Sequence, residues 1–304
     1  MRHPSHLDLK AVRRAFDRAA NTSGDQRVVA AEIARRMAAR LDYVRLEPHH
    51  ILDAGCGRAP AANLLAKRFP TARLTGVDAS FQMVKAAHRG EPLLTRAKLA
   101  MGFDSNRAVV CGDIESLPVA HASVDMVWSN LALAWLQNAD LAFREFHRVL
   151  REGGLLMFST YGPDTLRELR SAFAAVEDRP HVHEFTDMHD LGDLLLANGF
   201  AEPVMDMEKL VYTFADVAPM VRELQQSGQT NAVSDRRRGL MGRSAWNKML
   251  AAYARRDGDG RIEATFEIVY GHAWKAGKQT HRSETSGRVA TIQWLQNLKP
   301  KAKR

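Results

Sequence analysis

Residues 51–60, ILDAGCGRAP, constrain this chain more than any other stretch. A short apolar run ends in the acid Asp53, a turn punctuated by Gly55 and Gly57 follows, and residues 61–69 carry helical spacing, so the segment reads as strand, loop and helix N-terminus. Glycines let backbone approach a ligand that any Cβ would hold off, and the first N–H groups of a helix have no partner inside it. Such a loop suits a nucleotide-like cofactor. Asp53 bears on which one: two residues before the first glycine, a carboxylate repels the pyrophosphate of a dinucleotide but attracts the ammonium and sulfonium of S-adenosylmethionine. The GxGxxG spacing also fails, because Pro60 stands where the last glycine belongs. The stretch therefore points to a methyl donor and away from a nicotinamide dehydrogenase. Taken alone, its other reading is an ordinary tight strand-to-helix turn.

The surroundings of this loop repeat its rhythm. Residues 73–78 form a second strand that ends in Asp78, an acid placed to accept hydrogen bonds from both ribose hydroxyls. Residues 81–88 read as a helix, 91–106 as an irregular or helical connection, and 108–111 as a third strand running into Gly112 and Asp113. Asp113 is placed to accept the amino group of an adenine while Ile114 packs on the ring. A fourth strand over 123–130 delivers Ser129 and Asn130, followed by Trp135, to the carboxyl end of the sheet, where ligands of open parallel sheets bind. A helix over 139–150, a turn at Arg151 to Gly154 and a fifth strand over 155–160 follow, with Tyr161 as a lid over the substrate. Alternation of strand and helix predicts an α/β fold built on a doubly wound, mostly parallel sheet.

The second half departs from that alternation. Helices are predicted over 164–176 and 187–198, the latter stopped by Gly199, and a sixth strand over 203–212. Residues 214–253 read as helical segments around a basic loop, 225–243. In 261–274, Ile262, Ala264, Phe266, Ile268 and Tyr270 alternate with more polar positions, which predicts a last strand with one wetter face, antiparallel at the sheet edge. Domain organisation follows: N-terminal helices acting as a lid over 1–46, a cofactor-binding domain over 47–212 and 261–274, a helical insertion capping the substrate or partner site over 213–260, and a basic, disordered tail over 275–304. The composition, 45% hydrophobic and 26% charged, is ordinary for a globular protein, and no apolar run approaches the roughly 18 residues of a membrane span. Two cysteines and a polar start predict a cytoplasmic protein without disulfides. His181, His183 and His189 lack an acid at ligand spacing and read as exposed residues near a helix start, so no metal is expected.

Asp53, Gly55, Gly57, Asp78, Asp113, Ser129 with Asn130, and the Arg151–Gly154 turn, in this order and spacing, resemble a class I S-adenosylmethionine-dependent methyltransferase over residues 48–161. The resemblance implies seven strands with the last antiparallel. Ala15 to Ala20, Glu177 to His181, Phe185 and the pattern from Phe214 to Trp274 narrow it: nearly the whole chain except the tail is similar to the malonyl-acyl-carrier-protein O-methyltransferases of biotin synthesis. Two positions depart from that family. Asn21, Thr22 and Ser23 stand where a Tyr usually closes over the cofactor, and Gly57, Arg58 and Ala59 replace a Gly-Thr-Gly.

Methylation of a carboxylate needs no general base, since a malonyl carboxyl with a pKa of about 4 is already ionised at neutral pH. This agrees with the lack of a Ser-His-Asp set or a carboxylate pair. A cation is expected to hold the substrate carboxylate, with Arg18 and Arg179 as candidates and Asn130 and Tyr161 as further positioning groups. The net charge of +8 and pI of about 9.7 favour an anionic partner. An acidic acyl carrier protein bearing malonyl fits, with Arg236, Arg237, Arg238 and Arg243 as its docking patch. Neither nucleic acid nor membrane is expected as a partner: Ser129, Asn130, Leu131 and Ala132 stand where an amino-methylating nucleic-acid enzyme carries Asn-Pro-Pro-Tyr. The alternatives are a relative of the complex I assembly factor acting on a protein arginine, and a small-molecule methyltransferase. The oligomeric state is not readable from the sequence.

Overall fold

The structure is a computed structural model that describes residues 6–22, 28–90, 106–254 and 259–277. Seven strands form one sheet: β1 (His50–Ala54), β2 (Arg73–Asp78), β3 (Arg107–Cys111), β4 (Val124–Asn130), β5 (Leu150–Tyr161), β6 (Phe200–Phe214) and β7 (Ile262–Lys275). Their spatial order is β3-β2-β1-β4-β5-β7-β6. The strands from β3 to β5 run parallel, and β7 lies antiparallel to both β5 and β6. The chain winds outward from β1 to β3 and then restarts on the other side of β1 with β4. That reversal opens a crevice beyond the carboxyl ends of β1 and β4.

Alternation along the strands builds two cores. Ile51, Met126, Leu155 and Ile268 face one layer with Ile33, Met37 and Leu41, which recur every fourth residue from α2 (Val28–Arg40) onward. Their neighbours Leu52, Val127, Leu156 and Val269 face the other, where Phe143 and Phe146 of α5 (Ala139–Val149) pack with Leu191 and Leu195 of α7 (Met188–Ala197). The loop after β1 leads into α3 (Ala61–Arg68), and β2 leads into α4 (Phe81–Gly90). After β5 come α6 (Arg167–Ala174) and α7, and between β6 and β7 come α8 (Val217–Gln226) and α9 (Arg243–Ala252).

The fold departs from three of these expectations. The seventh strand is not at the edge: β7 sits between β5 and β6, and β6 is the outer strand, with Val204, Met207 and Val211 exposed. The polar positions in the middle of β7 are also dry. Thr265 and Glu267 are buried because the segment after β5 satisfies them: Glu267 Oε2 accepts from Asp164 N at 2.6 Å, and Thr265 N donates to Glu168 Oε2 at 3.1 Å. A period-two pattern of polar residues thus records loop partners rather than a solvent face. Likewise the Arg151–Gly154 stretch is strand, lying within β5, with Gly153 at a φ of 75°. The connection over 91–105 and the tail beyond residue 277 lie outside the described residues.

The first helix, α1 (Leu9–Ala19), starts at Asp8, whose Oδ1 accepts from Ala11 N at 3.0 Å, and turns Val12, Ala15 and Ala19 inward. It is laced to the segment after α8: Asp8 N donates to Ala232 O at 2.7 Å, and Ser234 N donates to His6 O at 2.8 Å. Through Val12 and Phe16 the helix also lines the crevice.

At the far end of β7, buried Lys275 donates from Nζ to His147 O at 2.7 Å and Leu150 O at 2.8 Å, satisfying carbonyls at the C-terminus of α5. Lys275→Met would leave both carbonyls unpaired. It is expected to cost about 2 kcal/mol, read as a lower urea midpoint at unchanged slope.

Candidate active site

Beyond β1 the chain must turn sharply, and Gly55 shows why no side chain is tolerated. At a φ of 78°, its Cβ would stand 2.2 Å from Ala132 Cβ. Gly55 N and Cys56 N both donate to Val77 O, at 2.8 and 3.1 Å, which ties the loop to β2. Asp78 completes the tie: its Oδ2 accepts from Gly57 N and its Oδ1 from Ser80 N, each at 2.8 Å. Ser80 Oγ in turn donates to Asp17 Oδ1 of α1 at 2.6 Å. Asp78 therefore shapes the loop as well as lining the cavity, and its remaining lone pairs are what it can offer a ribose.

The cavity so framed measures about 200 Å³. Asp53, Gly55, Gly57, Asp78, Ile114 and Asn130, all singled out from the sequence, line it. Asp113 lines an adjoining recess with Glu115 and Trp135, and its Oδ1 accepts from Glu115 N at 3.0 Å. Asn130 is fixed at both ends of its amide, donating to Ala30 O at 3.0 Å and accepting from Ser159 Oγ at 2.8 Å.

Asp53 is the electrostatic centre. It is buried, accepts no hydrogen bond among the described residues, and has its pKa pushed up to about 7, by desolvation first and by the charge of Asp78 second. A buried carboxylate without a donor, facing a cavity, is matched by a cation. S-adenosylmethionine carries one in its ammonium, and the neighbouring Asp78 and Ile114 suit its ribose and purine, so these residues fit that group. Bound there, it would supply a methyl already activated on sulfonium.

Other sequence expectations are not met. Ser129 does not reach the cavity: it is fully buried beneath it, its Oγ donating to Ala54 O at 2.9 Å and so joining β4 to β1. Tyr161 is no lid. It is 1% exposed, packed edge-on against Phe185, and donates to Gln229 Oε1 at 3.1 Å from the floor of a second cavity. Arg18 and Arg179 are exposed and line neither cavity, because each stands on the outer side of a segment whose apolar neighbours turn inward. Arg236 is a strut, donating to Val233 O at 2.8 Å and Asp8 Oδ2 at 3.0 Å. Arg237 lines the second cavity and pairs with Glu177 at 3.1 Å, while Arg238 and Arg243 are exposed.

The second cavity measures about 290 Å³ and shares Trp135, Leu224 and Gln229 with the first. His181 and His183 line it and are not exposed. His181 stacks on Phe173 at 3.7 Å, and His183 is held by Ala134 O at 3.1 Å with its pKa pushed down to about 4, chiefly by burial. The sequence reading missed Phe16, Met220, Glu223 and Gln229 as lining residues; of these only Phe16, an aromatic amid alanines and arginines, carried a signal. Thr22, in the departing N-terminal segment, donates to Ala19 O and Gln226 O at 2.7 and 2.9 Å, and Ser23 lies outside the described residues.

A methyltransferase domain family matches residues 52–158. The malonyl-acyl-carrier-protein O-methyltransferase of Laribacter hongkongensis is 48% identical over 93% of this chain and 95% of its own length, and that of Gallionella capsiferriformans 44% identical over 91% and 94%. The chain belongs to this O-methyltransferase family. Its methyl donor is S-adenosylmethionine. Solved structures agree on the fold: the methyltransferase bound to the Trm112 activator of Haloferax volcanii superposes with a TM-score of 0.55 at 17% identity, covering 89% of this chain and all 100% of that one. The YcgJ protein of Bacillus subtilis gives 0.54 at 18% identity, covering 81% and 99%.

Two outcomes are expected of this O-methyltransferase. Ala59 has a φ of 56°, a left-handed conformation that costs a non-glycine residue about 1–2 kcal/mol, against about 0.4–1 kcal/mol gained by restricting the unfolded chain. Ala59→Gly is expected to raise stability by about 0.5–1 kcal/mol in thermal unfolding; a loss would mean that contacts of the Ala59 methyl outweigh the strain. Asp53 yields the second. Its folded pKa of about 7 lies above the ordinary carboxylate value of about 4, so the free protein loses stability as pH rises from about 4 to about 7. A bound cation favours the ionised form, so cofactor binding at about pH 6.5 is expected to release a proton. Calorimetry in two buffers of different ionisation enthalpy measures it, and buffer-independent heat would remove Asp53 from the ammonium site.

Proposed function

We propose that the protein transfers the methyl of S-adenosylmethionine to the free carboxylate of a malonyl thioester carried on acyl carrier protein, forming the methyl ester that primes pimeloyl and biotin synthesis. The observation that carries this reading is the pair of cavities meeting at Trp135, Leu224 and Gln229. One suits the methyl donor. The other, lined by Thr230, Asn231 and apolar side chains, suits the end of a long thioester arm. Its supporting context is identity to relatives of that name over nearly the full chain, cap included.

The chemistry asks little of acid or base. The malonyl carboxylate is ionised at neutral pH, so attack requires alignment with the sulfonium and exclusion of water rather than proton removal. An apolar wall of Leu166, Leu169, Phe173 and Trp246 supplies a dry surround. The partner's acidic surface is met by Arg238 and Arg243, exposed on either side of Gly239 and Met241, which line the second cavity. They serve as the docking patch, with Arg237 at the rim.

Incubation with S-adenosylmethionine and malonyl carrier protein, followed by intact mass, tests the reading: the methyl increment is expected on the carrier, and its absence sinks the proposal. Replacing Arg238 and Arg243 together by Glu is expected to raise the KM for the carrier substrate about tenfold or more, with little change for a small malonyl thioester. The wild-type rate on the carrier should also fall with salt. Equal loss on both substrates would exclude these residues from docking.

A further inference from the structure

The three residues shared by the two cavities are Trp135, Leu224 and Gln229, and of these Trp135 and Gln229 carry polar side-chain groups, an indole N–H and a carboxamide. The carboxamide is oriented. Tyr161 donates to Gln229 Oε1 at 3.1 Å, and Tyr161 is itself clamped by Phe185 and Phe266, with ring centroids 5.4 and 6.0 Å away. Burial pushes the Tyr161 phenol well above its ordinary range, so it stays protonated and remains a donor. With Oε1 committed to Tyr161, the Gln229 Nε2 has its hydrogens to offer. Trp135 is braced as well, by edge contacts with Phe16 at 5.3 Å and His183 at 4.9 Å. Among the described residues no Lys or Arg lines the cofactor cavity, and the one Arg that lines the second, Arg237, is paired with Glu177.

We infer that the acceptor carboxylate is held at this junction by neutral donors, Gln229 Nε2–H and the Trp135 indole N–H, with Tyr161 positioning the amide, in place of the arginine that the sequence suggested. The inference rests on the carboxyl-methylation reading above. Neutral donors fix one carboxylate oxygen without cancelling its charge, so the other oxygen keeps its lone pair and its attraction for the sulfonium in a water-poor site. In the transfer, that oxygen forms a bond to the methyl carbon as the carbon–sulfur bond breaks, and the bonding pair stays on sulfur. No proton moves. Anion and cation become ester and thioether, and an ester oxygen accepts more weakly than a carboxylate, so the same donors loosen on the product.

The first control is the wild type: if it forms no ester on malonyl carrier protein, the functional reading has failed, and with it this inference. Given wild-type activity, Gln229→Leu is expected to lower kcat/KM for malonyl carrier protein about tenfold to a hundredfold while calorimetry shows unchanged S-adenosylmethionine affinity. Gln229→Glu sets carboxylate against carboxylate. Its rate relative to wild type should be lowest at about pH 8 and recover toward about pH 6 as the new acid protonates, a profile that mere loss of packing would not produce. Tyr161→Phe should cost less than Gln229→Leu, and the double variant no more than Gln229→Leu alone, since Tyr161 acts only through the amide. Wild-type kcat/KM in Gln229→Leu, a parallel loss of cofactor affinity, or a pH-independent deficit in Gln229→Glu would each overturn the assignment.

Discussion

The site depends on how Asp78 is spent. Its two oxygens take the amides of Gly57 and Ser80, at 2.8 Å each, and so fix the loop after β1 to the turn after β2. With Val77 O holding Gly55 and Cys56 in the same way, neighbouring parallel strands end in one rigid rim. That rim is what leaves Asp53 buried and facing the cavity without a donor. The cost of desolvating Asp53 appears in its raised pKa, and it falls on the free protein until a cation arrives. Stability held back at this loop is therefore available to cofactor binding.

The cover over the rim is assembled from pieces far apart in sequence. Asp17 of α1 reaches Ser80, Thr22 reaches Gln226 O, and Asp8 pairs with Arg236. Gly228 allows the closest contact: a Cβ there would lie 2.7 Å from Phe16 Cδ1. The first helix and the segment after α8 thus pack on one another, and both line the cavity, through Val12 and Phe16 on one side and Ser227 and Gln229 on the other. Gln229, next to Gly228, inherits its position from that packing.

What the sequence made legible was local. The apolar run before Asp53, the acid ending β2 and the Gly112–Asp113 turn each carry their geometry in neighbouring residues, so the parallel half of the sheet could be read strand by strand. The expectation of a wetter face on β7 failed because the dryness of Thr265 and Glu267 depends on Glu168 and Asp164, roughly a hundred residues away, which no periodicity reports. Arg18 and Arg179 looked functional by type and neighbourhood, yet a helix or loop can turn a guanidinium outward at no cost, and here it does. Gln229 gave no signal at all: a lone polar residue after a glycine is indistinguishable from a turn until the tyrosine it faces is known.

An arginine would be a poor choice beside the sulfonium. Before substrate arrives, a guanidinium in an apolar cavity would be a desolvated cation without a partner, costing several kcal/mol, and it would sit where the cofactor already brings positive charge. A carboxamide and an indole cost far less to bury, and Tyr161 already satisfies the amide oxygen. In the proposed docking, positive charge works at the surface instead. There Arg238 and Arg243 remain solvated, act over a Debye length of about 8–10 Å, and need no buried counter-ion. On the proposed reading, attraction of an acidic partner and alignment of its carboxylate would be separate tasks given to separate residues, and each could be strong without weakening the other.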